Sequence, residues 1–168
     1  DSDADSSDQQ SRKAQRWSIY LLLITVATSI SFANILNAPP LLSANDRSRW
    51  STVWALVENE EGVNPYQIDA IDELIEWHTI DKVRHEGHFY STKPPLLPTL
   101  VAGVYWCVKK ITGLSLMDDT AEATRVILLI VNLLPMTLAL LVLALIVEGR
   151  TCVHWGKIYI VAAASLAT

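Results

Sequence analysis

The chain has 168 residues, 51% of them hydrophobic, and a formal net charge of −5. An acidic chain without a Lys/Arg patch excludes a nucleic-acid surface. Its two cysteines, Cys107 and Cys152, lack C-x-x-C spacing, which argues against a zinc knuckle or a disulfide framework.

Residues 1–16 begin with DSDADSSDQQ, which has no apolar periodicity and predicts a disordered tail. Residues 17–36 follow as a first transmembrane helix. Ser18 to Leu36 is a stretch of 19 residues with no charged side chain, and about 20 apolar residues are needed to cross a bilayer core of about 30 Å. Arg12, Lys13 and Arg16 ahead of an apolar run would also suit a signal peptide. The run is longer than a signal core, however, and Pro39-Pro40 follows the would-be cleavage site, which favours a retained helix. Lys and Arg precede this span, and none follows it before Asp46. The positive-inside rule then puts the N-terminus in the cytoplasm and residues 37–94 outside. Thr25, Thr28, Ser29 and Phe32 form a stripe that either faces other helices or bonds back to its own backbone.

The outer loop, 37–94, carries ten acidic and five basic residues. Trp50, Val53, Trp54 and Val57 follow the i, i+3, i+4, i+7 pattern of an amphipathic helix, with Asn45 and Asp46 as candidate caps. A second helical pattern runs from about Ile68 to Trp77. Both helices suit a membrane interface. Thr79 to Val83 and His88 to Ser91 predict a hairpin around Glu86-Gly87. His78, His85 and His88, with Asp81 among them, are candidate metal ligands or plain loop histidines.

Lys93-Pro94-Pro95 leads into a second predicted span, 95–111, with Pro in its first turn. A cytoplasmic link, 112–125, carries Arg125. The third span, 126–147, contains the uncharged 22-residue stretch Val126 to Val147, in which Asn132 and Pro135 predict a kink. Arg150 and Lys157 in the outer link, 148–157, run against the orientation rule. Residues 158–168 start a fourth span. Residue 1 is Asp, and the last apolar run stops at Thr168. The chain therefore reads as the N-terminal part of a larger all-α integral membrane protein.

Two segments flank the outer loop: Asp46-Arg47-Ser48-Arg49-Trp50 after the first span, and Phe89-Tyr90-Ser91-Thr92-Lys93-Pro94-Pro95 before the next. Their order and placement resemble the GT-C glycosyltransferases. The nearest likeness is to dolichyl-phosphate-mannose protein mannosyltransferases and bacterial aminoarabinose transferases of the ArnT type. The first segment resembles the family's Asp-Glu-x-Arg-Tyr motif, with Arg47 in place of Glu and Trp50 in place of Tyr. The second resembles its Tyr-x-x-Lys-Pro-Pro segment. The resemblance implies a GT-C multi-span bundle that moves a sugar from a polyprenyl-phosphate carrier to a lipid, glycan or protein acceptor outside the cytoplasm. It implies Asp46 as catalytic base, Arg49 and Lys93 as ligands of the donor phosphate, and Tyr90 and Trp50 in the substrate pocket. A divalent cation is an open possibility, and the missing Glu weakens it. Read from the residues alone, Asp46 is a helix cap, Lys93 an interfacial anchor, and Arg49 a solvated helix charge. The rival reading is a non-catalytic membrane protein whose outer loop binds a partner or a metal.

Overall fold

Helix α1 runs unbroken from Ser2 to Asn37 in the computed structural model, which describes residues 2–150 and 153–167. The tail expected to be disordered is therefore helical. No Gly or Pro interrupts it, and extending an existing helix avoids the cost of nucleating a new one. Cys152 lies outside the described residues, and Cys107 is a free, exposed thiol.

The chain divides into two compact units, Asp1–Ile35 with Asn132–Thr168, and Leu36–Val131. In the first, side chains of α1 meet those of α6 (Leu134–Glu148) and α7 (His154–Leu166). Tyr20, Ile24 and Ala27 meet Leu140, Ala144 and Val161 in its core. Thr28 Oγ1 lies 3.2 Å from Thr137 Oγ1, so the polar stripe of α1 does face another helix. At the far end Arg16 pairs with Glu148, its Nε 3.0 Å from Oε2. Tyr20 donates to the same carboxylate at 3.2 Å, and Lys157 Nζ donates to the Glu148 carbonyl at 3.0 Å. Helices α1 and α6 are thus antiparallel.

Two helical runs are long and apolar enough to cross a membrane, Gln9–Asn37 and Thr120–Glu148. Only 17% and 11% of their most apolar windows are buried. A soluble core helix would be mostly covered, so these apolar surfaces suit lipid. The second run joins α5 (Thr120–Leu128), a π-helical turn (Leu129–Leu133) and α6. The π turn falls where a kink is expected. Pro135 has no N–H to donate, and its ring crowds the carbonyl four residues back, at Val131.

The second unit contains α2 (Ala44–Glu58), α3 (Asp69–Asp72), β1 (Lys82–His85), β2 (His88–Ser91), α4 (Leu96–Thr112) and α5. Its core draws Val53 and Trp54 from α2, Ile68, Ile71 and Trp77 from the loop, and Val101, Tyr105 and Val108 from α4. The hairpin forms with its second strand as expected, but its first strand is Lys82–His85 instead of Thr79–Val83, with Lys82 opposite Ser91 and His85 opposite His88. Glu86 and Gly87 both have positive φ, 51° and 92°, as a two-residue turn of the mirror-image type requires. The helix expected from Ile68 to Trp77 is shorter. Only Asp69–Asp72 is α-helical, because Ile68, Ile71, Trp77 and Thr79 are all drawn into the core and the backbone turns to deliver them.

Helix α4 occupies the segment expected to cross at 95–111, and here the structure differs. Its 17 residues reach about 25 Å at 1.5 Å per residue, short of a bilayer core of about 30 Å. One face, Val101, Ala102, Tyr105 and Val108, is buried, and α4 packs chiefly on α2. Glu58, at the end of α2, pairs with Lys109 at 2.5 Å and accepts a hydrogen bond from Tyr105. A crossing would have placed Glu58 and Lys109 on opposite sides of the membrane. The Tyr105 hydroxyl also accepts from Leu116 N at 2.9 Å. Burial and the Glu58 carboxylate push its pKa well above the ordinary phenol value. Tyr105→Phe strands a buried N–H and is expected to cost about 1–3 kcal/mol in chemical denaturation. An unchanged midpoint would show that water replaces the hydroxyl.

Candidate functional site

Helix α2 begins two residues before the first motif, at Ala44. Its N-cap is Ser43, not Asn45 or Asp46. Ser43 Oγ accepts from Asp46 N at 3.1 Å, and Asp46 Oδ2 accepts from Ser43 N at 3.2 Å and from Ser43 Oγ at 2.6 Å. This is a capping box with Asp in the third helical position, where a carboxylate also complements the helix dipole. Asp46 is thus held rigidly, half-buried. Both bonds from Ser43 fall on Oδ2. Arg47 is structural: its guanidinium donates to the carbonyls of Leu41 at 3.0 Å and His78 at 2.9 Å, tying the start of α2 to the loop before β1.

Ser48 joins the two motifs. Its Oγ donates to the Asp81 carbonyl at 2.6 Å and lies 2.7 Å from Ser91 Oγ. Ser91 Oγ in turn accepts from Lys93 N at 3.1 Å. Residues 45 positions apart in sequence, Ser48 and Lys93, thus share one hydrogen-bonded seam. The Lys93 ammonium pairs with Asp81, and Thr92 Oγ1 donates to Asp81 Oδ1. The Lys93 and Asp81 side chains are 23% and 20% exposed, so the pair is reachable from solvent. The Asp81 carboxyl is held below its ordinary pKa, first by the hydrogen bond from Lys93, then by Thr92, with the Lys93 and Arg49 charges adding to this.

Two grooves open beside this seam. One, of about 350 Å³, is lined by Arg49, Pro94, Leu96, Leu97, Pro98 and Leu100. Apart from the guanidinium, its side chains are all apolar. The other, of about 220 Å³, is lined by Thr52, Tyr66, Tyr90, Ser91, Lys93 and Pro95. Adjacent prolines, Pro94 and Pro95, line one groove each. Of the residues predicted as a site, Lys93 and Tyr90 line one groove and Arg49 the other. Asp46 and Trp50 line neither groove. Asp46 sits in the cap, one helical turn before Arg49, and Trp50 packs against the hydrophobic core. The missed member is Asp81, singled out only as a companion of the histidines. The hairpin could have found it. Continuing the register one residue beyond Lys82–Ser91 sets Asp81 against Thr92, next to Lys93. Tyr66, whose hydroxyl lies 2.9 Å from Thr99 Oγ1, was also missed.

The histidines are dispersed. His78 lies 3.6 Å from Asp72, His85 lies 3.8 Å from Glu86, and His88 lies 3.5 Å from Asp69. Among the described residues, no group of three or more His, Cys, Asp or Glu is placed to hold a metal ion.

The chain matches no family model, no curated protein and no solved structure.

Proposed function

We propose that the chain is part of an integral membrane glycosyltransferase of the GT-C type, inverting, with a polyprenyl-phosphate-linked sugar as donor. The observation that carries this reading is the pairing of grooves. An apolar channel beside Arg49 adjoins a polar one beside Lys93, Tyr66 and Tyr90. The ligand this suits has an apolar chain, an anionic joint and a polar head. Arg49 and Lys93 hold the phosphate by charge-assisted hydrogen bonds. The Asp46 carboxylate takes the acceptor's proton as the acceptor oxygen or nitrogen bonds to the anomeric carbon. The bond from that carbon to the phosphate oxygen breaks, and its electron pair leaves with the phosphate.

Topology supports the same reading. With α1 and α6 antiparallel, a membrane crossed by both returns the chain to the side it left, which suits an outer position for residues 38–119. Arg12, Lys13, Arg16, Arg150 and Lys157 gather at the other end, which the positive-inside rule makes cytoplasmic. On this proposed topology Arg150 and Lys157 no longer run against the orientation rule, and Lys109 and Lys110 lie on the outer side with the loop.

Native mass spectrometry of the protein purified in mild detergent tests the donor site. A co-purified polyprenyl phosphate, or its glycosylated form, is expected to be depleted in Lys93→Ala. If no such lipid binds even when a panel is added, the rival reading takes its place, a non-catalytic membrane protein whose outer loop binds a partner.

A further inference from the structure

Lys93 does not wait with a free charge. Asp81 is paired with it, Thr92 Oγ1 holds the carboxylate, and the Asp81 carbonyl is fixed by Ser48 Oγ at 2.6 Å. Backbone and side chain of Asp81 are thus both anchored, and the carboxylate cannot swing away cheaply when an anion arrives. Arg49 is the residue after Ser48 and acts electrostatically on the same carboxylate. Two cations and one fixed anion leave the site with about one net positive charge.

We infer that Asp81 tunes the charge of the anion this site accepts, weakening its hold on a doubly charged phosphomonoester more than on a singly charged phosphodiester. The inference rests on the donor-site reading above. A lipid-phosphate sugar is a diester with one negative charge. The lipid phosphate left after transfer is a monoester, which carries nearly two at neutral pH because its second pKa is about 6. Repulsion from Asp81 scales with the ligand's charge. The carboxylate therefore penalises the spent carrier more than the loaded one and favours its release. Asp81 is a specificity-determining residue, not the base.

The test is isothermal titration of the protein in detergent with farnesyl phosphate and with its methyl diester, at about pH 8, where the monoester is doubly charged. Asp81→Asn keeps the shape and removes the charge. It is expected to tighten monoester binding about tenfold and diester binding about threefold, since half the ligand charge feels half the repulsion. Equal changes for the two ligands, or weaker monoester binding, overturn the inference while leaving the donor site standing. If neither lipid binds the unaltered protein, the donor site falls as well.

Discussion

Asp46→Asn is expected to lower sugar transfer by about 10²–10⁴-fold, the range that positioned acid–base groups contribute. The fold should survive, because Asn keeps a carbonyl oxygen for the Ser43 N–H and hydroxyl, and Asn for Asp at a helix start costs well under about 1 kcal/mol. The position makes a clean experiment possible because Asp46 has two roles that separate. Ser43→Ala removes the reciprocal cap and one hydrogen bond to the carboxylate, but leaves the carboxylate itself and its bond from the residue 43 N–H in place. It should cost about 0.5–2 kcal/mol of stability and leave most of the transfer activity. Transfer from a labelled polyprenyl-phosphate sugar in membrane vesicles, read beside a circular-dichroism melt, distinguishes the two. Full activity in Asp46→Asn, or equal activity losses in both variants, would leave Asp46 as a cap alone.

The second large effect is on folding of the outer unit. Asp72→Ala is expected to destabilise it by about 3–5 kcal/mol, the usual cost of breaking a buried ion pair by removing one partner. The Asp72 side chain is 6% exposed. Its Oδ1 accepts from Thr79 N at 3.0 Å, and its Oδ2 pairs with Lys82, which also lies 4.4 Å from the centre of the Phe89 ring. This carboxylate therefore pins α3 to the start of the hairpin that carries Tyr90 and leads to Lys93. Removing it leaves a largely buried ammonium without its counter-charge and a buried N–H without an acceptor. Asp72→Asn keeps an acceptor for Thr79 and should cost less. Asp72→Leu combined with Lys82→Met should recover much of the loss, because an apolar pair carries no desolvation penalty. Urea unfolding followed by tryptophan fluorescence measures all three, with Trp54 and Trp77 buried in this unit. A loss below about 1 kcal/mol for Asp72→Ala would mean that water reaches Lys82 more readily than its burial suggests.

Local pattern was enough wherever a segment's structure depends on its own residues. The two long apolar helices follow from uncharged stretches of sufficient length. The hairpin follows from Glu86-Gly87, which suits a turn with positive φ at both central positions. The core face of α2 follows from the spacing of Val53 and Trp54. Two short motifs flanking one loop singled out Arg49, Lys93 and Tyr90, which line the two grooves. The tertiary structure alone decided what those segments meet. Segment 95–111 is apolar by composition, and only its pairing with α2, through Glu58, Tyr105 and Lys109, makes it a short packed helix instead of a crossing. The second amphipathic pattern is cut to one turn because Ile68, Ile71 and Trp77 serve a common core that a continuous helix would not reach. Arg47 is a brace for the His78 carbonyl, and Asp81 is the partner of Lys93, through contacts spanning 31 and 12 residues of chain. The physical reason is the same in each case. Propensity and periodicity act over one or two turns, whereas ion pairs and hydrogen bonds are made wherever the backbone path brings two groups together, and that path is set by burial across the whole unit.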